Sequence, residues 1–155
     1  MFGVRNSSAP PKALREFLRQ PTSVDSVMLP SRFAPASDWS AFQRGYRTDG
    51  ASPMSETPGT WHPQWWAFAS NYSSDPFFID VREKSAGFPV RFAFIAAGSW
   101  QPIVVADSAA EFFEWLEELA ALADRPSDAA DLVARQLPPS EFRDEVVSGF
   151  LDSGD

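Results

Sequence analysis

Residues 61–119 constrain the fold more than any other part of the chain. They run W-H-P-Q-W-W-A-F-A-S-N-Y-S-S-D-P-F-F-I-D-V, then, from residue 88, F-P-V-R-F-A-F-I-A-A-G-S-W-Q-P-I-V-V-A-D-S, then A-A-E-F-F-E-W-L-E-E-L. A Trp-rich entry leads into a short β-branched and aromatic strand, residues 77–81. Residues 90–96 then alternate, with Val90, Phe92, Phe94 and Ala96 on one side and Arg91, Ala93 and Ile95 on the other. Because Ala93 and Ile95 are also apolar, the second side of this strand is expected to be half covered. Gly98-Ser99 suits a tight hairpin turn with glycine at the positive-φ position, and residues 100–105 return as the partner strand. Pro102 cannot donate to a ladder, which places it at an edge or a bulge.

The periodicity then changes to helical. Ser108-Ala-Ala-Glu111 has the form of a capping box, in which the Ser hydroxyl accepts from the N3 amide and Glu111 reaches back to the cap amide. Phe112, Trp115, Leu116, Leu119, Leu122 and Ala123 recur on one face, so a helix is expected over 109–123 with Glu114, Glu117 and Glu118 toward water. Pro126 is expected to stop it. Ser127 can cap a second helix to about residue 137, and Ser140 a third to residue 151. The N-terminal third, 1–59, is irregular. A short helix is expected over 12–19 with Leu14, Phe17 and Leu18 together, and another over 38–46 with Trp39, Phe42 and Tyr46 together. Residues 47–59 are rich in Ser, Thr, Gly and Pro and read as a loop. A sheet region over 61–105 followed by a helical region over 106–155 indicates one α+β domain spanning 1–155. Its sheet is antiparallel or mixed, with helices packed on one side.

Charge and composition narrow the partners. The net charge is −8, but residues 106–155 carry thirteen carboxylates against three arginines, a local −10. Phosphate neutralisation needs a basic face, so nucleic acid is not the expected ligand. Either this acid is a solvated helix face, or it steers the protein toward a basic partner. The chain has no cysteine, which removes disulfides and thiolate chemistry. The start shows no apolar signal core, and no apolar run reaches membrane-span length. The expected setting is cytoplasmic, with no membrane contact.

Chemistry-bearing constellations are sparse. His62 is the single histidine, with no nucleophile elbow beside it and no set of N or S donors for zinc. No cofactor is expected. Asp75 and Asp80 flank the first strand and are the one carboxylate pair that a small hydrolase could use; as structural residues they would instead start a turn and bond nearby backbone. Trp61, Trp65 and Trp66 with Phe68 form the densest aromatic cluster, to which Trp100 adds a fourth indole. Either they are core, or one is left exposed as a binding hot spot.

The order of these pieces resembles the SUKH superfamily, which includes Smi/Knr-type cell-wall regulators and bacterial toxin-immunity proteins. The resemblance is carried by Trp61-x-Pro63, Trp65-Trp66-x-Phe68-Ala69-x-Asn71, Asp75-Pro76-Phe77, Ile79-Asp80, Pro89-Val90, Gly98-x-Trp100, and Ala106-Asp107-Ser108 before Phe112. It departs at 71–75, where the family often has a glycine-rich turn, and the family's N-terminal Leu-Pro is hinted at by Leu29-Pro30. It implies a non-catalytic protein-binding domain, foremost an immunity protein that neutralises a cognate bacterial toxin. The alternatives are a regulatory or scaffold module and, behind it, the Asp75/Asp80 hydrolase. Candidate partner-binding residues are Trp61, Trp65, Trp66, Asn71, Asp75, Asp80, Trp100, Glu114, Glu117 and Glu118, facing a basic protein.

Overall fold

The computed structural model describes residues 9–153. Chain order gives helix α1 (Lys12–Arg19), strand β1 (Arg32–Phe33), a 3-10 turn (Ala36–Asp38) running into a single helical turn α2 (Trp39–Phe42), and strands β2 (Trp65–Ser70) and β3 (Pro76–Asp80). Strands β4 (Val90–Phe92) and β5 (Ile103–Ala106) follow, then helices α3 (Ala109–Ala121), α4 (Pro126–Gln136) and α5 (Glu141–Ser153). The five strands form one sheet in the order β1-β2-β3-β4-β5, and each is antiparallel to its neighbour. The architecture is α+β.

Side-chain alternation splits the sheet into two dressed faces. Trp66, Phe68, Phe77, Ile79, Val90 and Phe92 turn to one face, where α1, α3, α4 and α5 cover them. Ala67, Phe78 and Ala93 turn to the other, where Tyr46 and Trp61 lie on them. A bulge at Phe68, between the pairs Ala67↔Phe78 and Ala69↔Phe77, lets Phe68 and Ala69 both serve the helical face. At the centre of that face, Phe77, Phe92, Phe112 and Phe142 meet with ring centroids 4.5–5.8 Å apart. Phe17 of α1 stacks on Phe113 at 4.7 Å, so the first helix closes the same layer. The expected half-covered outer side is buried at Ala93, partly covered at Arg91 and exposed at Ile95.

Several expected elements are corrected. Strand 90–96 ends at Phe92, because Ile95–Ala97 coils into a 3-10 turn. Gly98 does hold a positive φ of 85°, but it terminates that turn rather than making a tight hairpin. The return strand begins at Ile103; Trp100 instead pairs with Gly59 as an isolated bridge. Pro102 precedes β5, the edge strand, where its missing donor is tolerated. Pro126 opens α4 instead of merely ending α3, since its fixed φ and absent N–H suit the first helical position. Ser127 is therefore not the cap. Helix 38–46 shrinks to α2 and its leading 3-10 turn. Polar alternation does not mark strands β1 and β2.

Leu116 is 1% exposed on the inner face of α3. Leu116→Ala should lower unfolding free energy by about 2–5 kcal/mol in chemical denaturation. Leu116→Asp should abolish the cooperative melt followed by circular dichroism.

Candidate functional site

On the face opposite the helices, Trp61 is the hub of an aromatic layer. It is 1% exposed. Its ring contacts Tyr46, Trp65, Phe78 and Trp100 at 4.8–5.6 Å, and its Nε1 donates to the Trp65 carbonyl at 3.0 Å. Burial pushes the Tyr46 phenol up to about 12, and its hydroxyl donates to the Ser74 carbonyl at 2.6 Å. Trp61 is thus core, and so is Trp66, which stacks on Trp39 at 5.8 Å on the helical side. Neither presents a surface. Trp65 and Trp100 are only half-buried. They flank a cleft of about 320 Å³ lined also by Ser55, Glu56, Thr60, His62 and Gln101. This cleft is the candidate functional site.

His62 sits at its edge as a structural residue. Its Nδ1 accepts the Gln64 amide at 3.0 Å, which puts the neutral ring's proton on Nε2, 4.0 Å from Glu56. Among the described residues, no group of three His, Asp or Glu converges as a metal-binding set, and no helix is long and apolar enough to cross a membrane.

The remaining candidates are placed elsewhere, and three of them brace the fold. Asn71 and Asp75 close the β2–β3 connection from inside. The Asn71 carbonyl oxygen accepts from the Ser73 and Asp75 amides at 3.0 Å each, while its Nδ2 donates to Met28 O and Asp75 Oδ2. Asp75 Oδ1 accepts the Ile95 amide at 2.8 Å, tying the β4–β5 connection to the same corner. Asp80, 5% exposed, caps the turn Val81–Ala86 through the Arg82 amide and binds the Arg82 guanidinium in a fork at 3.0 and 2.6 Å. Asp75 and Asp80 lie at opposite ends of β3, about 16 Å apart at strand rise. The carboxylate pairs of glycoside hydrolases sit about 5–9.5 Å apart, well short of this separation, so the two are not placed as such a pair. Glu114, Glu117 and Glu118 are exposed on α3, on the side of the sheet away from Trp65 and Trp100. The fold does not bring the acidic surface and the indole cleft together.

Two residues that complete β2 were missed. The Gln43 side chain accepts from the Ala67 amide at 2.9 Å and donates to the Ala67 carbonyl at 2.8 Å. Arg47 Nη1 donates to the carbonyls of Trp65 and Pro63, and its guanidinium lies 3.6 Å from the Trp66 ring centroid. A signal existed for Gln43: it follows Trp39 by four residues, so it is a polar residue on the apolar face marked by Trp39, Phe42 and Tyr46.

Comparison with protein-family models, with curated proteins and with solved structures returns no match.

Burial alone would raise the Asp80 carboxyl, but the hydrogen bonds and charge of Arg82 outweigh it and hold the group below its ordinary value. A depressed carboxyl contributes stability above the unfolded pKa of about 3.9 and loses it as pH falls through the folded value. Asp80→Asn should therefore lower the melting temperature at neutral pH. It should also flatten the loss of stability on acidification below about pH 4. Melts of both proteins over a pH series check this; equal slopes would exclude Asp80 as a source of acid sensitivity.

Proposed function

We propose that this chain is a non-catalytic protein-binding domain and, within that class, a SUKH-type immunity protein that neutralises a basic toxin domain. One observation carries the binding half of the reading. Trp65 and Trp100 remain only half-buried around a cleft while Trp61 and Trp66 are buried. Tryptophan is the residue type most enriched in interface hot spots, and indoles already braced on one side lose little entropy on contact. The immunity half is supported by the family resemblance of residues 61–112 together with the α+β architecture. The carboxylates at the ends of β3 are engaged by the chain's own donors, which favours binding over proton-transfer chemistry.

The charge works at a distance from this cleft. Glu114, Glu117 and Glu118 lie across the sheet, so on this reading they raise the association rate by steering rather than by contact. The product of the gene immediately upstream serves as candidate toxin, immobilised for surface plasmon resonance over a salt series. Trp100→Ala and Trp65→Ala, each confirmed folded by its melt, should speed dissociation by a factor corresponding to about 2 kcal/mol or more. The triple Glu114→Gln, Glu117→Gln, Glu118→Gln variant should slow association, and the effect should fade above about 0.15 M salt. Absence of binding to that product, or folded Trp variants with unchanged dissociation, would overturn the reading.

A further inference from the structure

The Trp65–Trp100 cleft has a neighbour. A second cavity of about 320 Å³ is lined by Asp49, Ala51, Ser52, Ile95 and Trp100, with glycines between them. Trp100 and Gly59 line both cavities. The chain reaches Trp100 through Gly98 and Ser99 of the second cavity and leaves it through Gln101 and Pro102 of the first. The two cavities therefore adjoin at this indole. Small residues make up most of the second cavity, so Trp100 and Ile95, which is 39% exposed, are its large apolar side chains. In the first, Trp65, Pro58 and Pro102 join Trp100. The shared indole is held in place: its backbone amide donates to the Gly59 carbonyl at 2.8 Å, and its ring centroid lies 5.1 Å from that of Trp61 and 5.9 Å from that of Tyr46.

Two features select an occupant. The first is the backbone. Apart from Trp65, the residues lining the two cavities lie outside the five strands, and the Gly59–Trp100 bridge uses the pairing that this stretch offers. An incoming chain finds side chains here and not a strand edge. A segment that docks without strand pairing must leave its own amides in water, and polyproline II is the extended form that does so, with no internal hydrogen bonds and little entropy left to lose. Grooves lined by aromatic side chains are the recurrent receptors for such segments. The second feature is charge. Asp49 lines one cavity and Glu56 the other, and no lysine or arginine lines either. Asp49 stands 3.6 Å from Arg44 and Glu56 stands 4.0 Å from His62, but both carboxylates remain largely in water. The surface is thus apolar at the shared indole, with one accessible carboxylate in each cavity.

We propose that the two cavities form one groove for a proline-rich segment of a partner protein, seated across Trp100 in the polyproline II form with a basic residue at each end. The prolines pack on Trp100 and fill the cavities that adjoin it. One basic end pairs with Asp49 and the other with Glu56. The proposal rests on the protein-binding reading of the Trp65–Trp100 cleft and names the kind of segment that the cleft takes; it does not depend on the partner being a toxin.

The probes are fluorescein-labelled peptides with proline-rich cores of increasing length and an arginine at each end, read by fluorescence polarisation against the intact chain. At least one length should bind saturably. Replacing its prolines by glycine keeps the charge and removes the preformed helix, and should weaken binding at least about tenfold, a loss of about 1.4 kcal/mol. Trp100→Ala, where its melt shows it folded, should abolish binding. Asp49→Asn and Glu56→Gln change exposed carboxylates, and asparagine tolerates the positive φ of 54° at position 49. Each should keep the melt and weaken the peptide about twofold to fivefold, the size of an exposed ion pair. Removing the arginine from one end of the peptide should cancel the effect of one of these variants and leave the other, and removing it from the opposite end should do the reverse. Failure of every length to bind overturns the proposal. So do equal binding of the glycine and proline peptides, which reduces the contact to diffuse charge, and charge variants whose effects do not sort to opposite ends. Binding of the upstream gene product without binding of any peptide removes this proposal and leaves the protein-binding reading; peptide binding without binding of that product removes the immunity reading alone.

Discussion

The backbone of β2 is the constraint on which the rest of this molecule depends. From Trp66 to Ser70 every residue is buried, so each amide and carbonyl must find a partner inside the protein. On one side β3 supplies the ladder. On the other, β1 offers only two residues, and the helical turn α2 makes up the deficit through Gln43, whose amide presents a donor and an acceptor in the manner of a strand peptide. That requirement fixes where α2 sits, and with it Trp39 against Trp66 and Tyr46 against Trp61. A change at Gln43 would strand two buried polar groups and loosen the contact between both aromatic layers.

Covering both faces of the sheet has a consequence for the surface. Helices occupy one face, so the loop 47–62 and the indoles must cover the other. Loops cover a sheet less completely than helices, because their backbone needs water or turn partners. This is where Trp65 and Trp100 are left half-buried. The acidic residues follow the helices and so end on the opposite side. Aromatic surface and negative charge are separated by the same layering that builds the core.

Helices α1 and α3 were legible because their apolar residues recur on one face and the flanking Pro and Ser residues mark their starts. The β3 strand was legible from its run of large apolar residues. β2 was not, although its Trp-rich start stands out. A strand buried on both faces shows no polar alternation, and W-W-A-F-A-S carries small residues that read weakly as strand. The β4–β5 hairpin was overextended because Phe94, Ile95 and Ala96 continue the apolar pattern, while the chain turns at 95–97 to let Asp75 reach the Ile95 amide. Of the candidate site, the surplus of tryptophan was visible, but which indoles were core depended on contacts from Tyr46 and Phe78, distant in sequence. Asp75 and Asp80 bond backbone amides, as their structural reading expects, and they stand at opposite ends of the strand. Proximity in sequence along a strand is separation in space.

Those two carboxylates explain why a strand of five residues needs an acid at each end. The β2–β3 corner and the turn after β3 both leave amides without ladder partners. A carboxylate can accept several such donors at once, and a neutral amide fewer. Asp75 takes the Ile95 amide and the Asn71 side chain; Asp80 takes the Arg82 amide and both forks of its guanidinium. Arg91 of β4 and Glu83 of the turn after β3 form a further pair. Through these bonds Asp75 and Asp80 hold two connections in place. Those connections in turn lead into the β4–β5 segment that carries Trp100 to one face and leaves Val104 at the open edge.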